Sequence, residues 1–208
     1  MLPRLLLIAD RFTEPHRVDA VRRAVAAGVP WVQLRDHRVD FDTFARAAEA
    51  LVPMLKAENP NLLLSVNTNL DVARRLGLGL HVGRRGPSVA EARRQLGSGA
   101  LLGYSAHDLD AARQAADEGA DYLLFSPVFP TASKPGVPAV GLEALATVCR
   151  AVAVPVLALG GITPERVSVC LQQGAHGVAV VSAILEAPDP AAAVRQFLER
   201  IENALHHR

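Results

Sequence analysis

The sequence is poor in several features that mark particular classes of protein. Its 208 residues include two cysteines and only 4% aromatic residues. Cys149 and Cys170 lack the spacing of metal ligands or of a redox motif, so we expect buried thiols in a reducing compartment. An excess of one charge is also missing, because 22 Lys and Arg stand against 21 Asp and Glu. The resulting net charge of +1 disfavours nucleic acid or an anionic membrane as a partner.

Long hydrophobic runs are missing as well. The first apolar run, residues 5–9, ends at Asp10 and is too short for the apolar region of a signal peptide. No stretch has the length of a membrane span. We therefore expect a cytoplasmic protein with no membrane and no nucleic acid among its partners, and the sequence leaves a homo-oligomeric state open.

What the sequence does contain is a regular alternation of short apolar runs with longer amphipathic stretches. This pattern predicts eight strand–helix units and a buried parallel sheet. Because the units are short and evenly sized, and no fingerprint glycine loop follows the first strand, we predict a single α/β domain over residues 1–208. Its expected fold is a closed (β/α)8 TIM barrel rather than an open doubly wound sheet. The predicted strands are residues 5–9, 31–35, 62–66, 80–82, 101–104, 122–125, 156–159 and 178–181.

The residues just beyond the strands are the candidates for function, since barrel chemistry lies on the loops at the carboxyl ends of the strands. Gly160-Gly161 and Val181-Ser182 follow the seventh and eighth strands, where barrels commonly bind a phosphate through backbone N–H groups. A plain tight turn is the alternative for the two glycines. The pattern therefore predicts a phosphorylated small molecule as ligand. The other polar candidates are Asp10, Gln33, Arg35, His37, Asn67, Arg84, Arg85, Ser105, His107 and the loop from Ser126 to Val140.

Five segments, in this order and over most of the chain, resemble thiamine phosphate synthase and its sister group, the thiazole tautomerases. The resemblance implies a barrel of vitamin B1 synthesis with thiazole phosphate as the shared ligand. In the synthase, the thiazole nitrogen attacks a pyrimidine methyl pyrophosphate and pyrophosphate is released. The segments are VQLRD (32–36), GYSAH (103–107), SPVFPTASKPG (126–136), LGGIT (159–163) and VAVVSAI (178–184).

The resemblance also implies roles for the matching residues. Gln33, Arg35 and Asn67 would contact the pyrophosphate substrate, while Ser105, Thr131, Ser133 and Lys134 would contact pyrophosphate or position the reactants. Gly160, Gly161, Val181 and Ser182 would hold the thiazole phosphate. Charge that develops on a leaving pyrophosphate needs cations already in place, which independently favours Arg35 and Lys134. The alternatives are a rim salt bridge of Arg35 with Asp10 or Asp36, and an ordinary exposed loop lysine.

One part of the pattern departs from the family. The resemblance implies magnesium held by two aspartates, but Thr68 and Gly86 stand in their places, so we assign no metal ligand and no certain cofactor. His37 stands where the family has a lysine. We hypothesise that Arg84 and Arg85 replace the metal in binding a polyanion. The alternative is that both arginines simply face solvent.

Three functions stay open on the sequence. The first is a transferase that makes thiamine phosphate, and the second is a metal-independent thiazole tautomerase. Pro127 stands where the tautomerases have their acid–base histidine, so His37 or His107 would have to move the proton instead. The third is a non-catalytic binder of thiazole or thiamine phosphates. His81 is interpreted only as a strand residue.

Overall fold

The apolar runs of the sequence form eight strands, all of them parallel. The structure is a computed structural model that describes residues 1–131 and 136–206. Three predicted strands have the predicted bounds and the others shift by one or two residues. The fifth ends at Ala106, so Ser105 lies in the strand rather than after it. The strands are β1 (Leu5–Asp10), β2 (Trp31–Arg35), β3 (Leu63–Asn67), β4 (Gly79–Val82), β5 (Leu102–Ala106), β6 (Tyr122–Phe125), β7 (Val156–Leu159) and β8 (Gly177–Val180).

The strands pair in chain order, and β8 returns to β1, so the sheet is a closed barrel. The predicted (β/α)8 fold is therefore confirmed. Helices cover the outside, and the eighth connection holds two of them: the short α8 and the long α9, which packs on α1 and α7. The helices are α1 (Pro15–Ala26), α2 (Phe41–Glu58), α3 (Leu70–Leu76), α4 (Val89–Leu96), α5 (Leu109–Asp117), α6 (Gly141–Ala151), α7 (Val167–Gln172), α8 (Ser182–Leu185) and α9 (Pro190–His206).

Side-chain alternation divides the strands into an outer and an inner face. Outward residues such as Leu5 and Leu7 of β1 pack beneath the helices, whereas Leu6 and Ile8 fill the barrel interior together with Trp31 and Tyr122. On each strand, the next inward-facing residue after those in the interior lies at the barrel mouth. Polar side chains on the inner face therefore extend from the interior to the mouth.

The two cysteines are free thiols, as predicted. Cys170 is buried and Cys149 is half-buried. Burial raises the pKa of Cys149 to about 11 and that of Cys170 to about 12, so neither is ionised near neutral pH. The apolar run near the start is strand β1. Among the described residues, no helix has the length and apolar character needed to cross a membrane.

Candidate active site

A cleft lies at the carboxyl ends of β2, β7 and β8. Arg35 of β2, the glycine turn after β7 and the short helix α8 all line this cleft. Six residues predicted from the sequence line it: Arg35, Thr131, Gly160, Gly161, Val181 and Ser182. Apolar neighbours that sequence reasoning missed include Ile8, Leu159 and Ala179.

The turn after β7 can be formed only with glycine at two successive positions. Gly160 and Gly161 have φ values of 96° and 64°, in the left-handed region. A Cβ on Gly161 would lie 2.5 Å from the carbonyl oxygen of Pro130, and one on Gly160 would lie 2.8 Å from the Cα of Pro127. The sequence interpretation linked these glycines to close approach of a phosphate. The structure shows that they also admit the loop that follows β6.

Donors from the protein occupy the carbonyl groups of this turn. The Phe129 N–H donates to the Gly160 oxygen at 3.1 Å, and Arg166 Nη1 donates to the Gly161 oxygen at 2.5 Å. The Arg166 guanidinium also lies 4.5 Å from the centre of the Phe129 ring. Arg166 therefore contacts both the turn after β7 and the loop after β6. Sequence reasoning missed this residue. The carbonyls of both glycines are therefore occupied by protein donors, so a ligand at this turn would be bound through backbone amides rather than carbonyls.

Helix α8 starts directly at the cleft. Ile184 and Leu185 are the first of its residues that donate back to the Val181 carbonyl, so the amides of Ser182 and Ala183 precede the first hydrogen-bonded turn. Such first-turn amides are suited to an anion. Ser182 and Ala183 line the same cleft as the glycine turn.

The position of Arg35 is compatible with both roles that the sequence left open. Its Nη1 lies 3.4 Å from Asp10 Oδ1, and the side chain also lines the cleft. Asp36 is engaged elsewhere, since it accepts hydrogen bonds from the Thr13 hydroxyl at 2.6 Å and the Arg38 N–H at 3.0 Å. Burial opposes ionisation of Asp36, but these hydrogen bonds outweigh it and lower its pKa. Among the described residues that line the cleft, Arg35 is the one with a positively charged side chain.

His37, Arg84 and Arg85 are exposed, in the loops that follow β2 and β4 at the carboxyl ends of the strands. Desolvation and the charge of Arg35 lower the pKa of His37, with a further contribution from Arg85 and an opposing one from Asp10. The loops after β2 and β4 are therefore close enough to interact electrostatically. Within residues 1–131 and 136–206, neither Arg84 nor Arg85 forms an ion pair with an acidic side chain.

The two positions implicated in magnesium binding do come together in space. A Cβ on Gly86 would lie 3.6 Å from the Thr68 methyl group. Neither residue offers a carboxylate, and the Thr68 hydroxyl donates to Asn67 Oδ1 at 3.0 Å. In the described part of the chain, no group of three or more His, Cys, Asp or Glu side chains could hold a metal ion. These residues do not fit the magnesium site of the family pattern.

The loop after β6 brings further predicted residues to the mouth. His107 Nδ1 donates to the Ser126 carbonyl at 2.6 Å, which fixes the ring against this loop. Thr131 lines the cleft, as does Pro127 in the place of the tautomerase histidine. Ser133 and Lys134 lie outside the described residues, so their predicted roles stay predictions.

Below the mouth, polar side chains occupy the inner face of the barrel. The Trp31 indole donates to Ser65 Oγ at 3.3 Å, and the Tyr122 hydroxyl lies 3.0 Å from His81 Nδ1. His81 Nε2 in turn lies 2.8 Å from Ser105 Oγ at the mouth. Sequence reasoning treated His81 as a strand residue and missed Tyr122. The available signal was polar residues on one face of apolar strands, two residues apart, as in Ser65 and Asn67.

Gln33 and Asn67 extend this inner face upward on β2 and β3. Gln33 is 1% exposed, and its side-chain nitrogen is buried without a hydrogen-bond partner within the described residues. Gln33 is paired in register with Ser65, and Asn67 with His81. Burial raises the pKa of the Tyr122 hydroxyl, and the Gln33 side chain acts on it in the opposite direction. A buried amide nitrogen without a close partner is a group that a bound ligand can satisfy.

The fold and the cleft place the chain among the (β/α)8 barrel enzymes whose sites lie at the carboxyl ends of the strands. Within that class, the chain belongs to the thiamine monophosphate synthase family, whose pattern matches residues 5–184. The predicted family membership is confirmed.

Named relatives agree with this placement over nearly the whole chain. The thiamine-phosphate synthase of Roseiflexus castenholzii is 39% identical over 197 residues, covering 93% of this chain and 86% of that one. The thiamine-phosphate synthase of Methanoculleus marisnigri is 41% identical over 188 residues, with 89% and 88% covered. The structure of thiamine phosphate pyrophosphorylase from Pyrococcus furiosus superposes with a TM-score of 0.86 at 30% identity, covering 97% of this chain and 96% of that one. These relatives favour the transferase over the tautomerase.

Proposed function

We propose that this chain is a thiamine phosphate synthase, which joins a pyrimidine methyl pyrophosphate to thiazole phosphate in the cytoplasm. The observation that carries the proposal is the composition of the cleft, where Arg35 and the corner formed by Gly161 and Ser182 line the same space. A reaction between two phosphorylated molecules needs two anion sites facing one another. Membership of the synthase family points to the same reaction.

The corner between the glycine turn and α8 is the proposed site for the phosphate of the thiazole. Backbone amides at the turn and at the start of α8 would donate to its oxygens, with the Ser182 hydroxyl beside them. Ile8, Leu159 and Val181 give the cleft an apolar wall against which the thiazole ring can pack. The ring nitrogen is then held toward the side of the cleft where Arg35 lies.

Arg35 is the proposed cation for the pyrophosphate of the other substrate. In the reaction, the bond between the methylene carbon and the pyrophosphate oxygen breaks, and its electron pair leaves with the pyrophosphate. The lone pair of the thiazole nitrogen forms the new bond to that carbon. A fixed guanidinium stabilises the charge that develops on the leaving oxygens. Gln33, through its buried side-chain nitrogen, and Asn67 are proposed to bind the same substrate from the inner face.

Arg84 and Arg85 are proposed to supply charge that the family pattern assigns to a metal. They are exposed at the rim next to the two converged positions, Thr68 and Gly86, that lack carboxylates. Arginine binds phosphate oxygens through a planar fork of donors, so two such side chains suit a diphosphate. We expect magnesium titrated into the protein alone to give no stoichiometric binding by calorimetry, and turnover to persist in chelator. Tight binding of one magnesium together with strictly metal-dependent turnover would refute this role.

The function is tested by supplying purified protein with both substrates and measuring thiamine phosphate and pyrophosphate. We expect equal amounts of both products, and none from either substrate alone. The Arg35→Gln variant should lose at least about 100-fold in kcat/KM, whereas Arg46→Gln, on the exposed face of α2, should match the wild type. Isomerisation of a thiazole carboxylate phosphate without a second substrate would instead identify a tautomerase. Binding without any turnover would identify a binder.

A further inference from the structure

Three side chains form a hydrogen-bonded series from the barrel interior to the mouth. The Tyr122 hydroxyl is 3.0 Å from His81 Nδ1, and His81 Nε2 is 2.8 Å from Ser105 Oγ. Tyr122 is fully buried and His81 is 1% exposed, whereas Ser105 is half-buried at the carboxyl end of β5. The series therefore begins where solvent does not reach and ends at the barrel mouth, at the carboxyl end of β5.

The barrel is shaped to admit this series. Tyr122 packs edge-on against Trp31, with ring centroids 4.6 Å apart. Its partner in register on β5 is Gly103, where a Cβ would lie 2.1 Å from the tyrosine ring. Any side chain at position 103 would displace the tyrosine. Position 103 therefore has to be glycine if the phenol is to reach His81.

Burial determines the protonation of the two inner members. It lowers the pKa of His81 to about 3, with a smaller contribution from the charge of Arg35, and it raises the pKa of Tyr122 above its usual range. Both groups are consequently neutral at physiological pH. The imidazole then carries one N–H, and its position decides how Ser105 is hydrogen-bonded.

The geometry favours the proton on Nε2. A buried phenol has to donate its proton, and the imidazole nitrogen Nδ1 at 3.0 Å is an acceptor in line for it. Burial raises the pKa of the phenol, whereas Ser65 and Gln33 lower it by acting as donors to its oxygen, which leaves its own proton for Nδ1. Ser65 Oγ accepts from the Trp31 indole, so the Ser65 proton is available for the phenol oxygen. If Tyr122 donates to Nδ1, then Nε2 carries the hydrogen and donates to Ser105 Oγ. The Ser105 proton is thereby left free to point into the mouth.

We propose that Tyr122 and His81 are positioning residues that hold the Ser105 hydroxyl as a hydrogen-bond donor to the departing pyrophosphate. The inference rests on the proposed function, because it assigns the direction of one donor in that reaction. A donor fixed before the bond breaks needs no reorganisation as charge develops on the leaving oxygen. Since the hydrogen bond strengthens in the transition state, its loss lowers kcat more than it raises KM.

The kinetic test compares two amides of different length at position 81. The longer side chain of His81→Gln can place its nitrogen near the position of Nε2, while the shorter one of His81→Asn cannot reach Ser105. We expect kcat to fall about 10-fold in His81→Asn and in Tyr122→Phe with little change in KM, and to stay within about threefold of wild type in His81→Gln. His176→Gln is the matched control, because His176 Nε2 bonds the Leu2 carbonyl at 2.8 Å at the opposite end of the barrel. It should leave kcat unchanged.

A double-mutant cycle separates positioning from mere stability. Ser105→Ala should lower kcat about 100-fold, and adding His81→Asn to it should cause little further loss. Independent, multiplying losses would overturn the proposal, as would equal kcat values for the glutamine and asparagine variants. Both outcomes would mean that His81 does not act through Ser105.

The tautomer itself can be observed without turnover. Protein labelled with ¹⁵N at histidine should give ring nitrogen shifts at pH 7 that identify His81 as neutral and protonated on Nε2. In Tyr122→Phe, the preference for this tautomer should weaken. Protonation on Nδ1 in the wild type would overturn the proposal even if every variant failed to fold. Failure of the wild type to make thiamine phosphate would refute the proposed function. The His81 tautomer would still be measured by NMR, because that experiment does not depend on turnover.

Discussion

Thr68 is strained, and relieving that strain should stabilise the protein. Its φ of 65° puts a β-branched residue in the left-handed region, which costs an L-residue about 1–2 kcal/mol. Asparagine tolerates this conformation much better. Against this gain stands the hydrogen bond from the Thr68 hydroxyl to Asn67 Oδ1 at 3.0 Å, a half-buried contact that asparagine can partly replace. Since such a bond contributes about 0.5–1.5 kcal/mol, Thr68→Asn should raise the free energy of unfolding by about 1 kcal/mol.

In a domain of this size, such a gain corresponds to a rise in Tm of about 2–4 °C. Thermal unfolding followed by calorimetry measures it, and urea titration should show a higher midpoint with an unchanged m value. Thr163→Asn is the matched control, because Thr163 has an extended conformation with φ of −121° and no strain to relieve. A Tm for Thr68→Asn at or below that of the wild type would refute the reasoning.

Three further predictions concern protonation, the glycine turn and the lost carboxylates. The pKa of His81, about 3, lies below the ordinary 6.5, so the unfolded chain binds a proton first as the pH falls and the folded state loses stability. Between about pH 7.5 and 5, urea unfolding should show the wild type losing about 2 kcal/mol more than His81→Gln, and equal losses would contradict the assignment. Gly161→Ala forces a Cβ to within 2.5 Å of the Pro130 oxygen, so calorimetry should show binding of thiazole phosphate weakened at least about 10-fold; unchanged affinity would count against the turn. Thr68→Asp combined with Gly86→Asp should create a magnesium site detectable by calorimetry, whereas the paired asparagine variant should not, and binding by neither would show that the two positions do not converge.

The barrel was predictable because its strands are buried on both faces. Runs such as 31–35 and 122–125 are mostly apolar, and glycines such as Gly77 and Gly97 end helices α3 and α4. The exact strand bounds were less predictable, and they differ from the predicted ones at both ends of the barrel. Strand β5 continues through Ser105 to Ala106 because backbone pairing with β6 continues there, and composition does not encode pairing.

The candidate site was predictable where chemistry follows a strand end, as with Arg35, Gly161 and Ser182. It was less predictable where a contact joins distant strands. The stacking of Arg166 on Phe129 and its bond to the Gly161 carbonyl depend on how two loops meet. The series from Tyr122 to Ser105 depends on registers across three neighbouring strands, and no local pattern in β4 marks His81 as part of it.

The proposed function requires a phosphate group to bind between the turn after β7 and the start of α8. A crystal structure of the protein with thiazole phosphate tests this directly. We expect the phosphate oxygens within hydrogen-bond distance of the backbone amides at Gly161 and Ser182, with the ring against Ile8 and its nitrogen toward Arg35. A phosphate bound elsewhere on the barrel, with this corner filled by protein side chains, would contradict the account.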